Sequence, residues 1–370
     1  MRRLILRAAA TAICFGLLSC GGSGHSDSIT AVSTPLDQSN TGETPTGSNQ
    51  PGMPEISGSF QVDATARFRR PGDLAVDNSG KLYVMDRGNQ SIRLVATNGE
   101  VSTLPGIYDA NTRITLDAAG TPVILSGTDI FRLSSTGVRT PVKSYPVQSS
   151  SYTPLSIAAD AQDRIYVLIG YRNIFRIERI NADASSNYVY YINNYGYNVN
   201  LASDALGNLA VGIVPPTFSM SDKLGTAIEY IPLAVQTSES VHAPGITFWP
   251  VDYSYLTNVT GSMAFDAQGN LYVAGTSYTF NDIDGYQIDA LRILKITPAG
   301  FATEIYRGLP GETAFSYSQS SLDQTSLGLA VSRSGIVYFS DPFSHSIYRL
   351  DISGNAVLVA GQSGFAGSSD

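Results

Sequence analysis

Few side chains in this sequence have types and spacing that could do chemistry. Histidine occurs only as His25, His242 and His345, and cysteine only as Cys14 and Cys20. Zinc sites draw several His and Cys ligands from short, defined spacings, so zinc chemistry is poorly served. The segment Asn281-Asp282-Ile283-Asp284-Gly285 offers the oxygen ligands calcium takes. However, Phe280 stands where a calcium loop opens with Asp, and Leu291 where it closes with Glu. Asp282 and Asp284 therefore leave two readings open, a calcium site or an Asx-rich turn, and no other cofactor is expected. No Gly-x-Ser-x-Gly elbow or comparable nucleophile arrangement occurs. What remains is aromatic: Trp249, Tyr253, Tyr255, Tyr278, Phe280, Tyr286 and Tyr317, set among Asn, Ser, Asp and Gln. Such faces stack on sugar rings or grip peptides. These residues are the candidate ligand-binding set; packing of loops onto a scaffold is the competing use.

The elements that must position them are strands. From Arg70 to Gly106 the chain holds four short apolar runs, LAV, LYV, IRLV and VSTL, separated by turns rich in Asp, Asn and Gly. Such runs read as an antiparallel meander. Gly80 and Gly99 sit where a tight turn needs positive φ, and Asp77 can bond its own backbone to start one. Asp86 and Asn89 read as turn chemistry of the same kind. A single four-stranded unit cannot bury both of its faces, so it should recur.

It occurs six times. The anchor Asp-x-x-Gly followed by an apolar run begins at Asp77, Asp117, Asp204 and Asp266. Variants begin at Asp160, with Asp163 in the glycine position, and at Ser332. Units of 40 or more residues, each with four strands, predict an all-β fold, a six-bladed β-propeller of four-stranded antiparallel blades. The blades fall at about 72–106, 112–143, 155–193, 199–253, 261–308 and 327–361, within a domain spanning 59–370.

The first and last blades resemble NHL repeats. Pro71, Leu74-Ala75-Val76-Asp77, Gly80, Leu82-Tyr83-Val84, Asp86, Asn89 and Ile92 carry the pattern in blade 1. Leu329-Ala330-Val331, Gly335, Val337-Tyr338, Asp341 and Ile347 carry it in blade 6. There Ser332 replaces the turn Asp and His345 falls near the Asn position. The resemblance implies blades of contiguous sequence, with 59–70 and 362–370 side by side between the first and last. Amidating lyases share such propellers but bind zinc through several histidines, which this chain lacks. Gluconolactonase-like propellers use carboxylates and an Asn around the central channel. Here the repeated Asp is spent on turns, and no inward ring is evident.

In such a ring the turns joining strands one to two and three to four share a face, and here most are short. The extra length lies mainly on the opposite face. Second-to-third loops at about 215–226 and 276–289, and connections between blades at about 144–153, 250–260 and 309–326, supply it. Long loops on one rim of a rigid scaffold commonly carry function.

The N-terminus reads as an address. Arg2, Arg3 and Arg7 precede a mostly apolar stretch to Leu18, too short to span a bilayer comfortably. Leu17-Leu18-Ser19-Cys20 resembles a bacterial lipobox. That resemblance implies a signal peptide over 1–19, acylation of Cys20 and anchorage in the lipid bilayer of the cell envelope. With Gly21 following, the outer membrane is implied in a Gram-negative host. Residues 20–58, dominated by Ser, Thr, Gly, Pro and Asn, are too polar to form a core and form a tether. A flexible chain of that length averages about 35 Å end to end. Loss of the three leader arginines takes the formal charge from −8 to −11, 20 basic residues against 31 acidic. No basic cluster is apparent, so nucleic acid is not an expected partner. The expectation is a lipid-anchored binding or scaffold module meeting a glycan or protein on its long-loop face. The alternative is a lactonase- or lyase-like enzyme acting in the central channel.

Overall fold

The computed structural model describes residues 65–146, 153–171, 174–193, 197–214, 227–236, 247–250, 262–281, 285–308 and 327–370. They form six sheets, each of four strands in sequence order and antiparallel throughout. The innermost strands are Pro71–Val76, Arg113–Leu116, Thr153–Ala159, Tyr197–Ser203, Met263–Phe265 and Leu329–Val331. Each touches the next in that cyclic order, and the last touches the first. This is the six-bladed propeller that the repeat predicts, built without strand exchange.

The second strand of each blade explains why the apolar runs do not alternate with polar residues. In Leu82–Asp86 every residue is buried. Leu82 and Val84 face blade 6, whereas Tyr83 and Met85 face blade 2. Val123 and Leu125 likewise turn toward blade 3 while Ile124 turns toward blade 1. Six apolar clusters result among the described residues, one in each seam between blades. Each fully buried Leu, Val or Ile contributes about 1.5–3 kcal/mol, so the seams hold the ring together.

The anchors fold alike. Asp77 Oδ1 accepts the Ser79 and Lys81 amides at 2.8 and 3.0 Å. The same pair of bonds recurs at Asp117, Asp160, Asp204 and Asp266. Ser332 makes the second alone, to Ile336 N at 3.0 Å. The residue closing the turn has φ near +80°, at Gly80 and Gly120 for example, a conformation that is costly for a side chain bearing Cβ. Blade 3 accepts Asp163 there at φ 60°. Its carboxylate takes the Arg132 Nη2 at 2.9 and 3.0 Å, while Arg132 Nε donates to Asp117 at 2.8 Å.

Asp86 and Asn89 depart from the expected turn role. Asp86 accepts the Arg69 amide at 2.8 Å, the Asn89 amide at 2.8 Å and Arg93 Nη1 at 3.2 Å. Asn89 also donates to Gly367 O at 2.6 Å. Segments 67–68 and 367–369 pair directly, Arg67 N to Ser369 O at 2.9 Å and Gly367 N to Phe68 O at 3.0 Å. These side chains clasp the seam between blades 6 and 1, a long-range use that local turn patterns cannot show. On the same seam, Arg70 N donates to His345 Nδ1 at 3.2 Å.

The expected loop at 276–289 is mostly strand. The second and third strands of blade 5, Leu271–Asn281 and Gly285–Ile296, form one long hairpin with Phe280 opposite Tyr286. Aromatic and β-branched residues favour extended backbone, and here that preference prevails over loop formation.

Candidate functional site: the central channel

The six innermost strands enclose a channel of about 270 Å³. Counting back four residues from each anchor gives Asp73, Arg113, Ser156, Asn200, Ser262 and Gly328, all but the last lining the channel. Four residues of strand separate this ring from the Asp-x-x-Gly turns by about 13 Å. The ring therefore stands near the end at which the chain enters each innermost strand. It is the inward polar ring that the sequence reading did not find.

Its side chains bond from blade to blade. Asp73 Oδ2 accepts Ile114 N at 2.7 Å, from the next blade, and its Oδ1 accepts the Ser262 hydroxyl from blade 5. Ser156 Oγ accepts Leu201 N at 3.2 Å. Asp73, Ser156 and Asn200 are all buried. Gly328 leaves room for the closest backbone approach: a Cβ there would lie 2.0 Å from Gly72 O. Ser340 bridges that contact, accepting Gly328 N at 2.7 Å and donating to Gly72 O at 2.8 Å.

A second layer of polar groups sits in the seams. Tyr145 OH donates to Glu178 Oε2 at 2.8 Å, and Lys143 Nζ contacts Glu178 Oε1. Tyr190 OH donates to Glu229 Oε1 at 2.5 Å. Glu178 and Glu229 hold the repeat position that Arg93 holds in blade 1. Burial works against the Glu178 carboxylate, but hydrogen bonds from Lys143, Ser186 and Tyr145 keep it below its usual range. Burial chiefly, with the neighbouring Glu178 charge, pushes the Tyr145 hydroxyl far up. Burial raises Asp86 from 3.8 to about 6, despite the bonds from Arg69, Asn89 and Arg93. Tyr145, at the start of the connection expected over 144–153, thus locks a seam.

Of the candidate binding residues, Trp249 lies on the last strand of blade 4 with its backbone opposite Ile228. Tyr278 stands opposite Ile288 and Phe280 opposite Tyr286 on the blade-5 hairpin. Tyr253, Tyr255, Tyr317, Asp282, Asp284 and Cys20 lie outside the described residues. Among the described residues no group of three or more His, Cys, Asp or Glu could hold a metal ion. The channel ring had one available sequence signal: its fixed offset from the anchor.

The profile of the NHL repeat matches residues 68–93, most of blade 1. No curated protein matches the chain in sequence. Among solved structures, a protein of unknown function from Bacteroides thetaiotaomicron aligns with TM-score 0.52 and 14% identity, covering 78% of this chain and 71% of that one. A gluconolactonase from Xanthomonas campestris aligns with TM-score 0.51 and 10% identity, covering 80% and 88%. Virginiamycin B lyase from Staphylococcus aureus aligns at 0.45 and 17%, covering 78% and 83%. At 14% and 10% identity, the first two likenesses concern the fold alone. The chain carries a six-bladed β-propeller whose first blade contains an NHL repeat.

Proposed function

We propose that this protein is an extracytoplasmic binding module, tethered to a bacterial envelope membrane through acylated Cys20. It presents its channel mouth and long-loop face to an envelope glycan or a protein. One observation carries the reading: polar side chains from five of the six blades line the channel near the end at which the chain enters each innermost strand. A rigid ring with a polar, narrow mouth suits recognition of a small or protruding ligand, without need of a cofactor. The aromatic residues Trp249, Tyr278, Phe280 and Tyr286 belong to the blades with the longest insertions and would extend the contact.

The test is binding of solubilised envelope glycan fragments to the mature chain and to the Trp249→Ala and Tyr286→Ala variants. Weaker binding at an unchanged melting temperature supports the reading. An equal loss of stability assigns these aromatics to packing instead. Cys20→Ser should move the protein from the membrane to the soluble fraction.

A second reading, lactonase- or lyase-like turnover in the channel, is favoured by the Asp73 carboxylate and the Arg113 cation in one ring. Consumption of a sugar lactone by the purified chain, lost in Asp73→Asn, would establish it over simple binding.

A further inference from the structure

Arg113 occupies the one ring position where a permanent cation replaces an acceptor or a small group. In blades 1 and 3 the equivalent Asp73 and Ser156 accept the next blade's backbone N–H, from Ile114 and Leu201. A guanidinium has no acceptor, so Arg113 cannot do this for Ile157 of blade 3. Ile157 shares the register of Ile114 and Leu201, each opposite the middle of the blade's second strand. Its N–H is therefore turned away from that strand and toward the channel.

Arg113 keeps two donors without protein partners. Its Nε and Nη1 are buried and have no hydrogen-bond partner. Buried donors without partners are uncommon and call for an acceptor that the protein does not supply. Arg113 and Ile157 both line the channel, so a cation and a backbone donor are offered to an anion bound there. Asp73 supplies the compensating charge in the same ring and disfavours a dianion there. The hydroxyls of Ser156 and Ser262 and the amide of Asn200 complete a lining suited to a polyhydroxy ligand. A channel of about 270 Å³ lies at the lower end of small-ligand pockets, a size that suits a single sugar ring.

We propose that the channel mouth takes a sugar acid, its carboxylate held by Arg113. This rests on the binding reading above and adds the ligand's chemical class. The carboxylate could come from a free sugar acid or from the terminal uronic acid of a glycan.

Calorimetric titration of the mature chain with sodium D-glucuronate, D-glucose, sodium sulfate and a glucuronate-terminated trisaccharide tests it. Charge-assisted bonds of this kind separate acid from neutral sugar by about tenfold or more. Glucuronate should therefore bind at least that much more tightly than glucose or sulfate. The preference should vanish in Arg113→Gln and persist in part in Arg113→Lys. Tighter binding of the trisaccharide identifies a glycan end as the source, and equal binding identifies the free acid. Glucose or sulfate binding as well as glucuronate would overturn the proposal, as would an undiminished preference in Arg113→Gln. Should that variant fail to fold, the glucuronate-to-glucose comparison on the unaltered chain decides alone. If glucuronate fails while neutral envelope fragments still bind, only the ligand class falls. If no envelope fragment binds, the module reading falls with it.

Discussion

The Arg93 guanidinium lies 3.2 Å from the Asp86 carboxylate, with both side chains all but sealed from solvent. Through its other nitrogen it donates to Ser369 O at 2.7 Å and meets the Asp370 carboxylate at 2.8 Å. It also donates to Arg67 O at 3.0 Å. One side chain of blade 1 thus fastens segments far apart in sequence across a single seam. Removing one member of a buried pair leaves the other uncompensated, at a cost of about 3–5 kcal/mol. Arg93→Ala should therefore lower unfolding stability by that amount in denaturant titration, whereas Asp370→Ala, at an exposed carboxylate, should cost much less.

Asp86 gives the same seam a pH signature. Its folded value of about 6 lies above the ordinary 3.8, so the folded state binds this proton more tightly than the unfolded state. The contribution is complete below about pH 3.8 and is lost as pH rises through about 6. Compared with Asp86→Asn, the unaltered protein should gain about 2.5 kcal/mol of relative stability on acidification from pH 7 to 4. A difference between the two that is flat across this range would refute the assignment.

Glu178 should behave in the opposite sense. Its carboxylate is held below its usual range, so its contribution is present above the unfolded value and lost as pH falls through the lowered one. Tyr145→Phe removes the 2.8 Å bond and should cost about 1.5–3 kcal/mol near neutral pH. The penalty should shrink in acid. Thermal unfolding at pH 7 and pH 3 checks both statements.

Ser332 is the one anchor lacking a carboxylate, and it makes one of the two amide bonds that the other five make. Ser332→Asp restores the missing acceptor and should add about 0.5–1 kcal/mol, a gain typical of repairing a turn to its repeat pattern. Calorimetric melting would show it as a small upward shift.

Much of the fold was legible because its determinants are local. The Asp-x-x-Gly turns bond within five residues, and the apolar runs report burial on both faces directly. The ring was harder to read. Asp73, Arg113, Ser156, Asn200, Ser262 and Gly328 span five residue types and both charge signs, so only their common offset from the anchor unites them. Asp86 and Asn89 look like turn residues because their partners, Arg69 N and Gly367 O, arrive from adjoining and distant sequence. The blade-5 hairpin reads as loop in sequence because its length exceeds that of its counterparts, although Tyr278-Thr279-Phe280 favours strand.

Hydrogen exchange with and without bound envelope glycan fragments would locate the binding surface. Protection should concentrate in 72–75, 112–115, 155–158, 199–202, 261–264 and 327–330, and in the blade-5 hairpin. Protection confined to the opposite face, at 77–80, 117–120, 204–207 and 266–269, with the channel strands unchanged, would contradict a ligand met at the channel mouth.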